Sequence, residues 1–159
     1  MPGKFTIDDT INTLNAIFEK HKNERIIVLT STCVGKTTII EKANKNWIDA
    51  DLLLGQNITE EEIMEAILSK KGIKYIRIYE KKLYNKLKVE PGIPIFGSCV
   101  LDCDVLIYLD ISEKNLLLHC KKRGIDINFV LQLKEEIEND WNYYKNINDK
   151  MFYYVVTAE

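Results

Sequence analysis

The chain has 159 residues, 46% of them hydrophobic, and its 22 Lys and Arg against 24 Asp and Glu leave a formal net charge of −2. That length is expected to form one domain over residues 1–159 with apolar content enough for a full core, and the balanced charge excludes a global basic field for nucleic acid. No apolar run approaches the ~20 residues that span a bilayer, and Met1-Pro-Gly-Lys-Phe-Thr6 has no apolar leader core, so no membrane partner and a cytoplasmic location are expected.

In chain order, Thr6-Ile-Asp-Asp9 reads as a capping box, with Asp9 in place of the usual glutamate. It opens a helix over 6–22 whose Ile7, Ile11, Leu14, Ile17 and Phe18 share one face. Ile26–Leu29 reads as the first strand, and a helix follows from Lys36 to about Asn44. Trp47-Ile-Asp-Ala-Asp51 reads as a short second strand ending in carboxylates. Thr59-Glu-Glu-Glu62 caps a helix to about Lys70. After Gly72 a second helical stretch runs over about Lys74–Leu87, with Tyr75, Ile76, Tyr79, Leu83 and Leu87 on one side. Pro91-Gly92 is a turn. Ile93–Phe96 is the third strand, although Pro94 weakens it, and Asp104–Asp110, with its apolar Val-Leu-Ile-Tyr-Leu, is the fourth. Helices are expected from Ser112-Glu113 to Arg123 and over Asn128–Asn146, and a fifth strand over Phe152–Val156. Apolar strands alternating with helices predict an α/β fold of three layers, with a five-stranded parallel sheet covered on both faces.

The chemistry is concentrated in Thr30–Thr37, between the first strand and the first helix after it. Backbone N–H groups at a helix N-terminus point at an anion, and the helix dipole adds partial positive charge there. Gly35 would let the backbone approach phosphate oxygens, Lys36 is expected to reach the β- and γ-phosphates, and the Thr37 hydroxyl is expected to ligate Mg²⁺. Ser31, Thr32, Cys33, Val34 and Thr38 complete the candidate cradle. The full phosphate-loop signature has glycine five residues before Gly35, where this chain has Thr30. A β-branched residue resists positive φ, so the loop entrance is expected to be negative in φ or strained.

Ligands in parallel sheets sit at the carboxyl ends of the strands. The loop, Asp49, Asp51, Gly97-Ser98 and Asp110 all fall there. If the second strand extends through Asp51, Asp49 and Asp51 share a face. Asp51 is then the candidate general base or metal-water ligand, with a helix cap for Leu52–Leu54 as its other reading. Cys33 lies where loop amides and Lys36 favour a thiolate; its plainer reading is a small tolerated side chain. His119-Cys120-Lys-Lys-Arg-Gly has Asp126 where a cysteine-phosphatase loop needs arginine, and the Cys99, Cys103, His119 and Cys120 spacing fits no structural zinc pattern. Asn44-Lys45-Asn46-Trp47 lacks the acid of a guanine-reading tetrad.

On the loop, the acidic segment Ile48–Leu53 and the strand–helix unit from Asp104 to Arg123, residues 25–156 resemble the P-loop small-molecule and nucleotide kinases of the shikimate, gluconate and nucleoside monophosphate kinase type. The resemblance implies ATP and Mg²⁺ as cofactors and a phosphotransferase acting on a small acceptor. Thr37 and Asp51 would serve the metal. Asp49, Asp51, Arg77 and Gly97 would line the acceptor site, with the 59–88 helices as its wall. Arg123, in a lid-like region over 119–128, would supply a cation to the transferring group, and Lys36, Asp51 and Arg123 form the catalytic set. The chain departs from the family at Thr30, in having no aspartate at Phe96-Gly97-Ser98, and in stopping three residues after Val156. These departures keep open a second reading, a non-catalytic or weakly hydrolytic nucleotide-binding module that serves regulation or a partner.

Overall fold

A computed structural model describes residues 6–54 and 72–157. Its elements run α1 (Ile7–Lys20), β1 (Ile26–Leu29), α2 (Lys36–Ala43), β2 (Ile48–Asp49), α3 (Ala50–Leu54), α4 (Gly72–Tyr84), β3 (Ile95–Gly97), β4 (Val105–Ile111), α5 (Glu113–Arg123), α6 (Ile127–Ile147) and β5 (Met151–Thr157). The five strands form one sheet in the order β2-β3-β1-β4-β5, and every pairing is parallel. This is the α/β architecture expected from the sequence, with β1 at the centre. The helix expected over 59–70, and the side chains of Tyr75 and Tyr79, lie outside the described residues.

Local chemistry explains the element ends. The Thr6 hydroxyl accepts the Asp9 N–H at 3.1 Å and the Asp9 carboxylate accepts the Thr6 N–H at 2.9 Å, closing the capping box that starts α1. Ser112 caps α5 by accepting the Asn115 N–H, and Asp126 caps α6 by accepting that of Asn128. Asn44 and Asn148 end α2 and α6 in the left-handed conformation, and Gly124 ends α5 in the same way.

The second strand corrects the expectation for Trp47–Asp51. Only Ile48 and Asp49 pair with β3, and Asp51 lies in the first turn of α3. The Asp49 carboxylate accepts the Asp51 N–H at 3.0 Å, an Asx-type contact that turns the chain out of the strand. Asp49 and Asp51 therefore do not share a strand face. The third strand also begins later than expected, at Ile95: Pro94 has no N–H to donate, and its carbonyl accepts the Ile48 N–H at 3.0 Å.

The parallel register sorts side chains between the two faces. Phe96, Val28, Ile107 and Tyr153 are level with one another. On that face α1 crosses the sheet, with Phe18 edge-on to Trp47 (4.9 Å) and Phe96 (6.2 Å), and His21 against Tyr153. Gly97, Leu29, Tyr108 and Tyr154 are level on the other face. There Trp141 of α6 packs on Tyr108 and Phe152. All of β1 and β4 is buried, the expected state of central parallel strands covered on both sides. Among the described residues no helix is long and apolar enough to cross a membrane.

Candidate functional site

The centre of the sheet fixes the site. In the order β2-β3-β1-β4-β5 the chain runs from β1 to one side of the sheet and then crosses from β3 to β4 on the other, and the crevice at such a switch point opens above the carboxyl ends of the strands. The loop after β1 fills its floor. Thr30 is buried and does not adopt positive φ; its N–H donates to the Gly97 carbonyl at 2.8 Å, so the sheet pairing runs one residue past β1. The left-handed positions of the loop are Cys33 (φ 69°) and Gly35 (φ 99°). Gly35 caps α2 with no side-chain hydrogen bond, and the first turn of α2 carries no acid. The leading amides of α2 are thus left for a ligand.

A cleft of about 830 Å³ lies over this N-terminus, lined by Ser31, Thr32, Cys33, Gly35, Lys36, Thr37, Thr38, Asp49, Asp51, Leu52, His119, Lys122 and Arg123. Val34 is buried and does not line the cleft. Inside the cleft the Lys36 ammonium bridges two carboxylates, at 3.0 Å from Asp49 Oδ1 and 2.5 Å from Asp51 Oδ2. The Thr37 hydroxyl donates to Asp49 Oδ2 at 3.4 Å. Asp49 and Asp51 meet on Lys36 because one comes from a strand end and the other from the helix turn after it.

Asp51 is held from behind as well. The Tyr84 hydroxyl donates to Asp51 Oδ1 at 2.9 Å and accepts the Ser98 N–H at 3.2 Å. Burial first, and then the Asp51 charge, push the Tyr84 hydroxyl well above its ordinary pKa, so it stays a donor. Gly97 makes room for this ring: a Cβ there would lie 2.7 Å from Tyr84 Cε1, 2.8 Å from its oxygen and 3.1 Å from Ala50 Cβ. Gly97 does not line the cleft; it supports Tyr84, which supports Asp51.

Arg77 is buried in α4, away from the cleft lining. Its guanidinium donates to the Ser98 carbonyl at 2.7 Å and to Asp140 of α6 at 2.6 Å, and lies 3.5 Å from Glu80. Burial works against its charge, but Cys99, Glu80 and Asp140 outweigh that and raise its pKa. The geometry therefore makes Arg77 a strut between α4, α6 and the end of β3. Glu80 accepts a short hydrogen bond from the Ser98 hydroxyl, and burial raises its pKa against the pull of Ser98 and Arg77. The sequence has no acid at the end of β3; α4 brings one there from seventeen to eighteen residues upstream in the chain. Burial likewise pushes the neighbouring Cys99 thiol up to about 12.

The opposite wall of the cleft is the last turn of α5. His119 Nδ1 lies 2.7 Å from the Cys33 carbonyl, which can only accept, so Nδ1 carries the proton. Arg123 Nη1 approaches Cys33 Sγ at 3.8 Å. The Cys120 thiol, below them, is pushed up to about 12 by burial and then by the adjacent Cys33 thiol. His119, Lys122 and Tyr84 were not candidate site residues on sequence grounds. The signal available for α5 was periodic: His119, Lys122 and Arg123 are spaced three and four apart, one face of a helix.

No family model matches the chain, and no curated protein matches it. Among solved structures it is similar to one described as a deoxyadenosine kinase from M. mycoides with bound dATP, at 18% identity and a TM-score of 0.47 over 82% of this chain and 90% of that one.

Proposed function

We propose that the chain is an ATP- and Mg²⁺-dependent phosphotransferase that moves a γ-phosphoryl group to a small acceptor. The observation that carries this reading is the meeting, in one cleft, of an uncapped helix N-terminus, Lys36 and two carboxylates, with Lys122 and Arg123 opposite. Phosphoryl transfer asks the protein chiefly for positioning and for charge stabilisation, and these groups supply both. The loop amides and Lys36 hold the β- and γ-phosphates. Arg123 and Lys122 face the transferring group from α5. Asp51, held through Tyr84, serves as general base to the acceptor hydroxyl or as a ligand to the metal.

The donor set fits a hard divalent cation. The Thr37 hydroxyl and the Asp49 and Asp51 carboxylates are oxygen ligands of the type Mg²⁺ takes alongside nucleotide phosphates. Bound there, the ion would neutralise charge on the phosphoryl oxygens. Asp49, in contact with Thr37, joins Thr37 and Asp51 as a candidate for that role. Arg77 and Gly97 act in this reading as supports of the acceptor side rather than as ligands.

The test has two stages. Thermal unfolding with Mg²⁺ and ATP, GTP or ADP comes first: ligand at 100 times its Kd stabilises the native state by about 2.7 kcal/mol, and Lys36→Ala abolishes the shift. Acceptor-dependent ADP release over a panel of small hydroxyl- and phosphate-bearing metabolites follows. Release above the Lys36→Ala control supports the kinase. A nucleotide shift with no such release supports the binding module instead.

A further inference from the structure

We infer that His119 is a positioning residue for the phosphate loop: its Nδ1–H holds the Cys33 carbonyl and so fixes a left-handed turn that the Cys33 side chain by itself disfavours. Cys33 carries φ 69° without being glycine, and left-handed geometry is costly for a residue with a Cβ. The turn leads directly into Val34, Gly35 and Lys36 at the start of α2, so it sets the course of the loop that lines the cleft. What keeps it is supplied from 86 residues away, by the 2.7 Å hydrogen bond from α5. Arg123, one turn further along α5, adds its contact to the Cys33 sulfur on the same side. A strained backbone persists where its surroundings over-determine it, and here those surroundings are one helix face.

The clamp itself is a property of the ligand-free chain; only its effect on affinity rests on the phosphate reading above. The experiment therefore has two arms. Amide hydrogen exchange is measured on the ligand-free full chain for wild type, His119→Ala and His119→Asn, and for the same pair of substitutions in a Cys33→Gly background. The asparagine amide nitrogen occupies about the place of Nδ1 and keeps the donor. His119→Ala is expected to speed exchange of the Ile39 amide, which donates to the Gly35 carbonyl at 3.0 Å at the loop's junction with α2, about tenfold, the loss of one well-formed hydrogen bond. His119→Asn stays within about threefold, and the alanine effect falls below about threefold once residue 33 is glycine, which adopts this turn without a Cβ penalty. The proposal is overturned if the alanine variant leaves the Ile39 amide unchanged, if it speeds it equally in both backgrounds, or if the β4 amides speed up with it, which would mark a global loss of stability. In the second arm, ATP with Mg²⁺ is titrated: about tenfold weaker binding in His119→Ala, recovered in His119→Asn, is expected. If wild type binds no ATP, the phosphate reading falls and the exchange comparison alone decides the clamp.

Discussion

Tyr84 shows how much a single hydroxyl can organise. It touches a carboxylate of the cleft, an amide at the end of β3 and the space left by Gly97. Tyr84→Phe removes one donor and one acceptor from a buried network, and a loss of about 1–3 kcal/mol is expected in denaturant unfolding. Gly97→Ala drives a methyl into the tyrosine ring from the other side, and overpacking of about 1–3 kcal/mol is expected in the same measurement. None of this was readable in advance. The Gly97-Ser98 pair marks only a strand end in the sequence, and the tyrosine that fills the gap is thirteen residues earlier, on another element. Glu80 gives a pH-dependent outcome. Its folded pKa is raised, so between the ordinary glutamate value of 4.5 and the folded value the native state holds the proton more tightly than the unfolded chain does. Stability contributed by that proton is present at lower pH and fades as pH rises through this window. Urea unfolding across that range is expected to be flatter in Glu80→Gln than in wild type.

At the scale of elements, the sequence was most legible where a local rule has no competitor. The capping box at Thr6, the apolar run of β4, the Ser112 start of α5 and the strand–loop–helix around Gly35 all follow from residue type and spacing alone. Periodicity misled at Trp47–Asp51, because the Asp49 carboxylate accepts the Asp51 N–H, which ended the strand two residues early and put Asp51 on a helix. Thr30 raised the question of where the loop takes its positive φ; the answer is Cys33, three residues on, a position at which spacing gives no warning. From the sequence Arg77 reads as an acceptor-side ligand or a surface residue; its role as a strut becomes visible only with α6 in place to supply Asp140. At the amino end of the sheet, the Asp104 carboxyl is held below its ordinary range by hydrogen bonds from the Arg25 side chain and amide. A depressed carboxyl contributes stability above its unfolded pKa and loses it as pH falls. Acid unfolding of Asp104→Asn should accordingly depend less on pH than that of wild type below the ordinary aspartate range.

For the whole molecule, Arg77 is the largest single commitment outside the apolar core. It joins α4 to α6 across the end of β3, with Glu80 and Asp140 on either side. Removing one member of a buried ion pair leaves its partners uncompensated at a cost of about 3–5 kcal/mol, a large share of the 5–15 kcal/mol that holds a domain of this size. Arg77→Ala is expected to lower the urea midpoint strongly. A replacement of the cluster as a unit, Arg77→Met with Glu80→Gln and Asp140→Leu, should recover most of the loss, since well-packed apolar substitutes often match buried ion pairs.

The bridge from Lys36 to Asp49 and Asp51 has a consequence for selectivity. A polyphosphate that draws the ammonium onto itself strands two partly desolvated negative charges, whereas one that arrives with a divalent cation brings a positive charge to take the ammonium's place between them. On the proposed reading the two carboxylates make the cleft discriminate against bare anions and favour a charge-compensated ligand. ATP titrated in chelator should then bind well below its affinity with Mg²⁺, and Asp49→Asn should narrow that gap by relieving part of the stranded charge.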